Sequence, residues 1–137
     1  MKRTLAIIKP DAVGARNAGA IVTMVEQAGF TIRAMRMSRL TTAQAEGFYA
    51  VHKDKPFFPA LVKFMTEGPI IVMALEREDA ILKWREVMGA TNPEKAGPGT
   101  IRKKFGTNIE RNAVHGSDAP ETAATELAFF FRTVELI

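Results

Sequence analysis

A nucleophile, a carboxylate and a set of cations are the residues of this chain that could do chemistry together. His115 stands in Asn112-Ala-Val-His-Gly-Ser-Asp118, between a short apolar segment and a turn. An ordinary imidazole titrates near 6.5 and is mostly neutral at pH 7. In that form it can act as nucleophile, general base or metal ligand. Gly116 removes a side chain beside it and leaves room for a ligand. Most lone turn histidines merely bond to backbone, but this one has helpful neighbours. A helix expected to begin near Asp118 sets free N–H groups and a positive dipole end beside it. On that helix Glu126 borders the apolar stripe. There its carboxylate is either a solvated flank or an acceptor for the second ring N–H, fixing the tautomer.

The anion-binding candidates are more specific. Arg85 follows Trp84 on the rim of a helix, and Arg102 follows Pro98-Gly99-Thr100 in a long loop. Thr91 and Asn92 add short polar groups near a helix C-terminus. The planar fork of arginine matches phosphate oxygens bidentately. Lys9 ends an apolar strand in Ile8-Lys9-Pro10-Asp11, where it either snorkels or serves a site. Phe57 and Phe58, between Pro56 and Pro59, give more aromatic surface than one helical stripe needs. One ring could form a platform for a nucleobase; Phe58 is the one expected in the core.

These residues need a frame, and the hydrophobic pattern predicts one. Thr4–Ile8 and Ile70–Leu75 read as buried strands. Phe30, Ile32 and Ala34 alternate as in a half-buried strand, and the phase then slips to Met35 and Met37, which suggests a bulge. Ala113-Val-His115 is a shorter strand. Helical stripes fall at Ile21, Val22, Val25 and Ala28; at Ala45, Phe48 and Tyr49 behind a Thr41/Gln44 capping box; and at Phe58, Leu61, Val62 and Met65. Two more fall at Ala80, Ile81, Trp84 and Met88, and at Ala123, Ala124, Leu127, Phe130 and Phe131 behind an Asp118/Glu121 cap. Without an inserted helical hairpin the order is βαββαβ, the ferredoxin-like split βαβ pattern of the α/β (α+β) class. It predicts a four-stranded antiparallel sheet covered by helices. Residues 89–118 form a loop longer than a connection needs, expected to be ordered around Ile101 and Phe105.

Composition bounds the rest. The 137 residues suit one domain, 1–137, of a globular protein, 47% hydrophobic and 25% charged. Zero cysteines exclude disulfides, thiolate metal sites and a cysteine nucleophile. No signal peptide is read at the N-terminus, and no apolar run nears the roughly 18 residues of a membrane span. The expected location is cytoplasmic. The net charge of +4 invites anionic partners. P-loop, G-x-G-x-x-G, protein-kinase and G-x-S-x-G signatures are all absent.

Over nearly its whole length the sequence resembles the nucleoside diphosphate kinases. The carrying motifs are Thr4-Leu-Ala-Ile-Ile-Lys-Pro-Asp11, Glu46-Gly-Phe-Tyr-Ala-Val-His52, Lys55-Pro-Phe-Phe58, Met88-Gly-Ala-Thr-Asn-Pro93, Pro98-Gly-Thr-Ile-Arg102 and Asn112-Ala-Val-His-Gly-Ser-Asp118. The resemblance implies ping-pong transfer of the γ-phosphate of a nucleoside triphosphate to a nucleoside diphosphate through a phosphohistidine at Nδ1 of His115. It implies that Glu126, steadied by Ser117, orients His115, with Tyr49 bordering the site. Lys9 and Asn112 would bond the sugar, Phe57 would stack loosely on the base with Leu61 beside it, and Arg85, Thr91 and Arg102 would hold phosphates. It further implies Mg²⁺ carried on the nucleotide phosphates, with Asp118 reaching it through water at most, and a homo-oligomer: dimer, tetramer or hexamer. Lys104 and Ala119 depart from the usual family residues, outside the motifs. Two other readings fit the residues less well. A nucleic-acid-binding ferredoxin-like module lacks sheet aromatics in Ile70–Leu75, so no specific nucleic acid is expected. A metal-dependent hydrolase lacks ligands. Arg102→Ala is expected to remove activity and leave the fold intact.

Overall fold

The computed structural model describes residues 2–137. Strands β1 (Arg3–Ile8), β2 (Thr31–Ser38), β3 (Ile70–Glu76) and β4 (Val114–Gly116) form one antiparallel sheet in the order β2-β3-β1-β4. Helices α1 (Pro10–Gly14), α2 (Ala18–Gln27), α3 (Thr42–Phe48), α4 (Phe58–Thr66), α5 (Ala80–Met88), α6 (Ile101–Phe105) and α7 (Pro120–Phe130) complete it. The β1-α2-β2-β3-α5-β4 skeleton is the ferredoxin-like pattern. The helices α3 and α4 are the inserted hairpin, joined through a 3₁₀ turn at Ala50–His52.

The sheet is buried on both faces, which explains the unbroken apolar run of β1. Leu5 and Ile7 enter one core with Val72, Ala74, Phe64, Met65 and Leu127. Ala6 and Ile8 enter the other with Ile21, Val25, Met73, Trp84 and Val114. Each fully buried aliphatic side chain contributes about 1.5–3 kcal/mol of transfer free energy. So the central strand is strongly fixed, and β4 is fixed through its ladder: Ala6 opposes Gly116, Ile7 opposes His115 and Ile8 opposes Val114.

Several expectations are corrected. The β2 irregularity lies between Ile32 and Ala34, and Met35 and Met37, 53% and 60% exposed, do not rejoin the core. Their strand is the sheet edge, where apolar residues need not face inward. The last helix is capped one residue later than expected. Ala119 donates its N–H to the Thr122 hydroxyl at 2.9 Å, because Pro120 takes the first helical position and holds Ala119 extended. Ala124 is consequently exposed. The fourth strand begins at Val114, since Ala113 has φ = 73°. The long loop is ordered as expected, around buried Ile101 and through α6. The short helix α1 was not anticipated.

Gly116 serves packing as well as access. A Cβ there would collide with the indole of Trp84 and the methyl of Met88. The Trp84 indole N–H in turn donates to the His115 carbonyl at 3.1 Å. Gly116→Ala should therefore lower unfolding free energy by about 1–3 kcal/mol in urea titration. A midpoint equal to that of the parent would show that the indole yields without cost.

Candidate active site

The end of β4 and the turn after it, the start of α6 and the end of α5 converge on one cavity of about 450 Å³. Arg85, Thr91, Arg102, His115 and Asp118 line it, with His52 and Glu86. His115 is held from behind. Its Nε2 lies 2.9 Å from Glu126 Oε1, and the Ser117 hydroxyl donates to the same oxygen at 2.8 Å. A carboxylate only accepts, so this contact places the ring proton on Nε2 and leaves the Nδ1 lone pair free. Ser117 is itself fixed: its hydroxyl accepts the Leu5 N–H at 3.3 Å, tying the carboxylate to β1. Phe48 and Tyr49 pack edgewise on the imidazole, at centroid distances of 5.5 and 6.3 Å. Burial, then the Glu126 carboxylate, push the Tyr49 phenol above its ordinary range, so it stays neutral. Its buried hydroxyl has no hydrogen-bond partner among the described residues.

A second cleft of about 240 Å³ is lined by Lys9, Phe57, Leu61, Ile109 and Glu110. Phe57 is half exposed, as a stacking platform must be, while Phe58 packs against the core. Asn112 links cleft to cavity. Its Oδ1 accepts from Lys9 Nζ at 2.8 Å, and its Nδ2 donates to the Thr91 carbonyl at 3.0 Å. The geometry thus brings together the residues singled out from sequence except Asn92, which lines neither space: its Oδ1 accepts the Glu94 N–H at 3.1 Å and caps the 3₁₀ turn Pro93–Lys95. The lining residues His52, Glu86, Ile109 and Glu110 were not anticipated. Ile109 carried a usable signal, an isolated large apolar residue in a polar loop. His52 and Glu86 carried none.

Two cations are held where water is scarce. Lys9 and Arg102 are each 8% exposed. Burial, then the nearby Arg102, lowers the Lys9 ammonium to about 8, against the opposing pull of Asp11 and Glu110. Burial, then Arg85, lowers Arg102 to about 10. Both shifts describe positive charge buried beside another cation with little negative charge to compensate it. Arg102 also has a structural task. Its Nε, Nη1 and Nη2 donate to the carbonyls of Asn112, Gly89 and Val114 at 3.3, 3.1 and 2.9 Å. Three of about five N–H donors are used, which leaves about two for a ligand. The expectation that Arg102→Ala spares the fold is therefore revised, because the substitution strips three backbone carbonyls of their donor.

The family model for nucleoside diphosphate kinase matches residues 2–136. The chain belongs to the nucleoside diphosphate kinase family. It is 60% identical over 136 residues to the nucleoside diphosphate kinase of Sorangium cellulosum, covering 99% of this chain and 94% of that one. It is 58% identical to that of Trichlorobacter lovleyi, covering 100% and 99%. Among solved structures, the Aquifex aeolicus nucleoside diphosphate kinase superposes with a TM-score of 0.97 at 45% identity, covering 99% of both chains. The Halobacterium salinarum enzyme in complex with CDP superposes with a TM-score of 0.95 at 40% identity, covering 99% of this chain and 91% of that one. The protein is therefore a phosphotransferase with the family's activity, ping-pong transfer of a γ-phosphoryl group through a phosphohistidine. Kinases of nucleotides work with a divalent metal. No helix among the described residues is long and apolar enough to cross a membrane.

Nucleoside diphosphate kinases act on polyanions, and Lys9, which lines the second cleft, attracts one only while it is charged. In the free enzyme it loses its proton near pH 8, whereas in the unfolded chain it keeps it to about 10.5. The cost of burying this charge is full below pH 8, falls as pH rises from about 8, and is gone above about 10.5. Binding an anion favours the protonated form, so above pH 8 binding requires proton uptake. kcat/KM for a nucleoside diphosphate should decline above an apparent pKa near 8, and Lys9→Arg should move that break beyond pH 10. A break unmoved in Lys9→Arg would assign it to another group. Arg102→Ala should lower the transfer rate at least 100-fold and also lower unfolding free energy by about 2–3 kcal/mol, measured by turnover and by urea titration.

Proposed function

We propose that His115 is the phosphoryl acceptor and that the surrounding residues take the roles the family resemblance implies. The observation that carries this reading is the Ser117–Glu126–His115 chain, which leaves one ring nitrogen free beside a cavity holding two arginines. In the first half-reaction the Nδ1 lone pair attacks the γ-phosphorus, the bond to the β-phosphate oxygen breaks, and a nucleoside diphosphate leaves. In the second, a terminal phosphate oxygen of another nucleoside diphosphate attacks the same phosphorus, and the N–P bond breaks. The Nε2 proton stays on the ring throughout, and Glu126 stabilises the positive charge that the ring gains.

Arg85 and Arg102 face the phosphate oxygens, with Thr91 as a further donor. Transfer of this kind depends mainly on positioning and on offsetting charge spread over those oxygens. Lys9 and Asn112 bond the sugar hydroxyls. The base enters between Phe57 and the Ile109 side of the cleft, beside Leu61. Contacts through ring faces and an apolar wall tolerate different bases, so discrimination falls on the phosphates.

Mg²⁺ fits these residues as an ion carried by the nucleotide. The described residues hold no cluster of three His, Asp or Glu able to make a protein cage. Asp118 lines the cavity and can reach the ion through water. When bound, Mg²⁺ neutralises charge on the phosphate oxygens. We further propose that residues 1–137 form one cytoplasmic domain working as a homo-oligomer, a dimer, tetramer or hexamer. The exposed methionines of edge strand β2 support association.

Incubation with γ-³²P-ATP should give an acid-labile, alkali-stable label on the protein, lost in His115→Ala. A label that survives His115→Ala would place the nucleophile elsewhere. Glu126→Gln should slow labelling by roughly 10–100-fold, read by rapid quench.

A further inference from the structure

The turn before His115 has a conformation that an alanine does not adopt freely. Ala113 is fully buried and has φ = 73°. The Val114 N–H donates to the Asn112 carbonyl at 2.9 Å, closing a three-residue ring around Ala113. This is the γ-turn with positive φ at its centre, the rarer and more strained of the two forms. Such a residue persists only where its surroundings over-determine it.

The surroundings are specific. The Lys9 N–H donates to the Ala113 carbonyl at 2.9 Å, extending the β1–β4 ladder into the turn. Arg102 donates to the carbonyls on either side, those of Asn112 and Val114. One polar group remains, the N–H of Ala113. It points to the carboxylate of Asp11, whose Oδ2 lies 3.1 Å away across 102 residues of sequence. The second oxygen, Oδ1, is buried with no partner among the described residues. Asp11 does not line the phosphate cavity or the base cleft.

We propose that Asp11 is a positioning residue for phosphoryl transfer: its carboxylate holds the strained turn at Ala113, and the turn sets Asn112 and His115 relative to one another. Without that acceptor a buried N–H is left unpaired, and the carbonyl contacts from Lys9 and Arg102 alone oppose the return of Ala113 to negative φ. Rotation there re-aims the Asn112 side chain away from Lys9 and Thr91 and displaces the strand that carries His115. The proposal rests on His115 as the phosphoryl acceptor.

A double-mutant cycle tests it. Glycine adopts φ near +73° without steric cost, so Ala113→Gly removes the strain that Asp11 is proposed to restrain. The rate of His115 phosphorylation by γ-³²P-ATP is measured in single turnover for the parent, Asp11→Ala, Ala113→Gly and the double variant, with thermal midpoints recorded for each. Asp11→Ala should slow phosphorylation at least 10-fold. In the Ala113→Gly background the same substitution should cost no more than about 3-fold. Asp11→Asn keeps an oxygen acceptor and should recover most of the parent rate. A parental rate in Asp11→Ala, or an equal loss in both backgrounds, would overturn the proposal. Should Asp11→Ala not fold, the proposal requires the double variant to fold and transfer, and failure of both would overturn it. Absence of label on the parent would instead overturn the assignment of His115.

Discussion

The hydrogen bonds that hold Glu126 and Asn112 in place run back to strand β1 and the residue that ends it. The strand β1 is buried on both faces and hydrogen-bonded on both edges, to β3 and to β4. Only β3, paired with β2 and β1 and buried on both faces, is held as firmly. The backbone of β1 at Leu5 bonds the Ser117 hydroxyl and thereby fixes Glu126. Its far end presents Lys9, which bonds Asn112 through its side chain and Ala113 through its backbone. A nucleophile that must meet a phosphorus atom within fractions of an ångström gains from such a support. Preorganised groups need not reorganise during the reaction.

The second constraint is electrostatic. Lys9 and Arg102 are buried cations with few counter-charges, and both are held below their ordinary proton affinities. That costs stability in the free enzyme. The cost is offset by backbone carbonyls, three of which accept from Arg102, and by the cores on either side of the sheet. Arg102 thus has two faces: the same guanidinium braces the turn that bears Asn112 and lines the cavity beside His115. Salt bridges elsewhere have a different character. The Arg3–Glu76 and Arg33–Glu76 pairs join neighbouring strands at the surface, where ion pairs contribute little.

Much of this was legible before folding. Unbroken apolar runs place β1 and β3, because both of their faces are covered, and a period of 3.6 places the longer helices, because only one face is. The motif around His115 and the spacing of Lys9, Arg85 and Arg102 point to phosphate chemistry. Where the reading slipped, a local physical reason exists. Met35 and Met37 looked like core because period-two logic assumes a covered face, and β2 is an edge. The α7 cap moved because Pro120 overrides the preference of Asp118. The helix α1 is only five residues long, too short to show a period.

The sequence by itself determined the fold class, the family and the supply of cations, and it singled out His115 as the candidate nucleophile, since these depend on residue type and local spacing. The tertiary structure alone decided which nitrogen of His115 is free, that Arg102 spends three donors on the backbone, and that Asp11 meets Ala113. These are contacts between groups up to about a hundred residues apart. Their geometry exists only once burial has fixed β1 between its neighbours, and no pattern along the chain encodes the angle of approach.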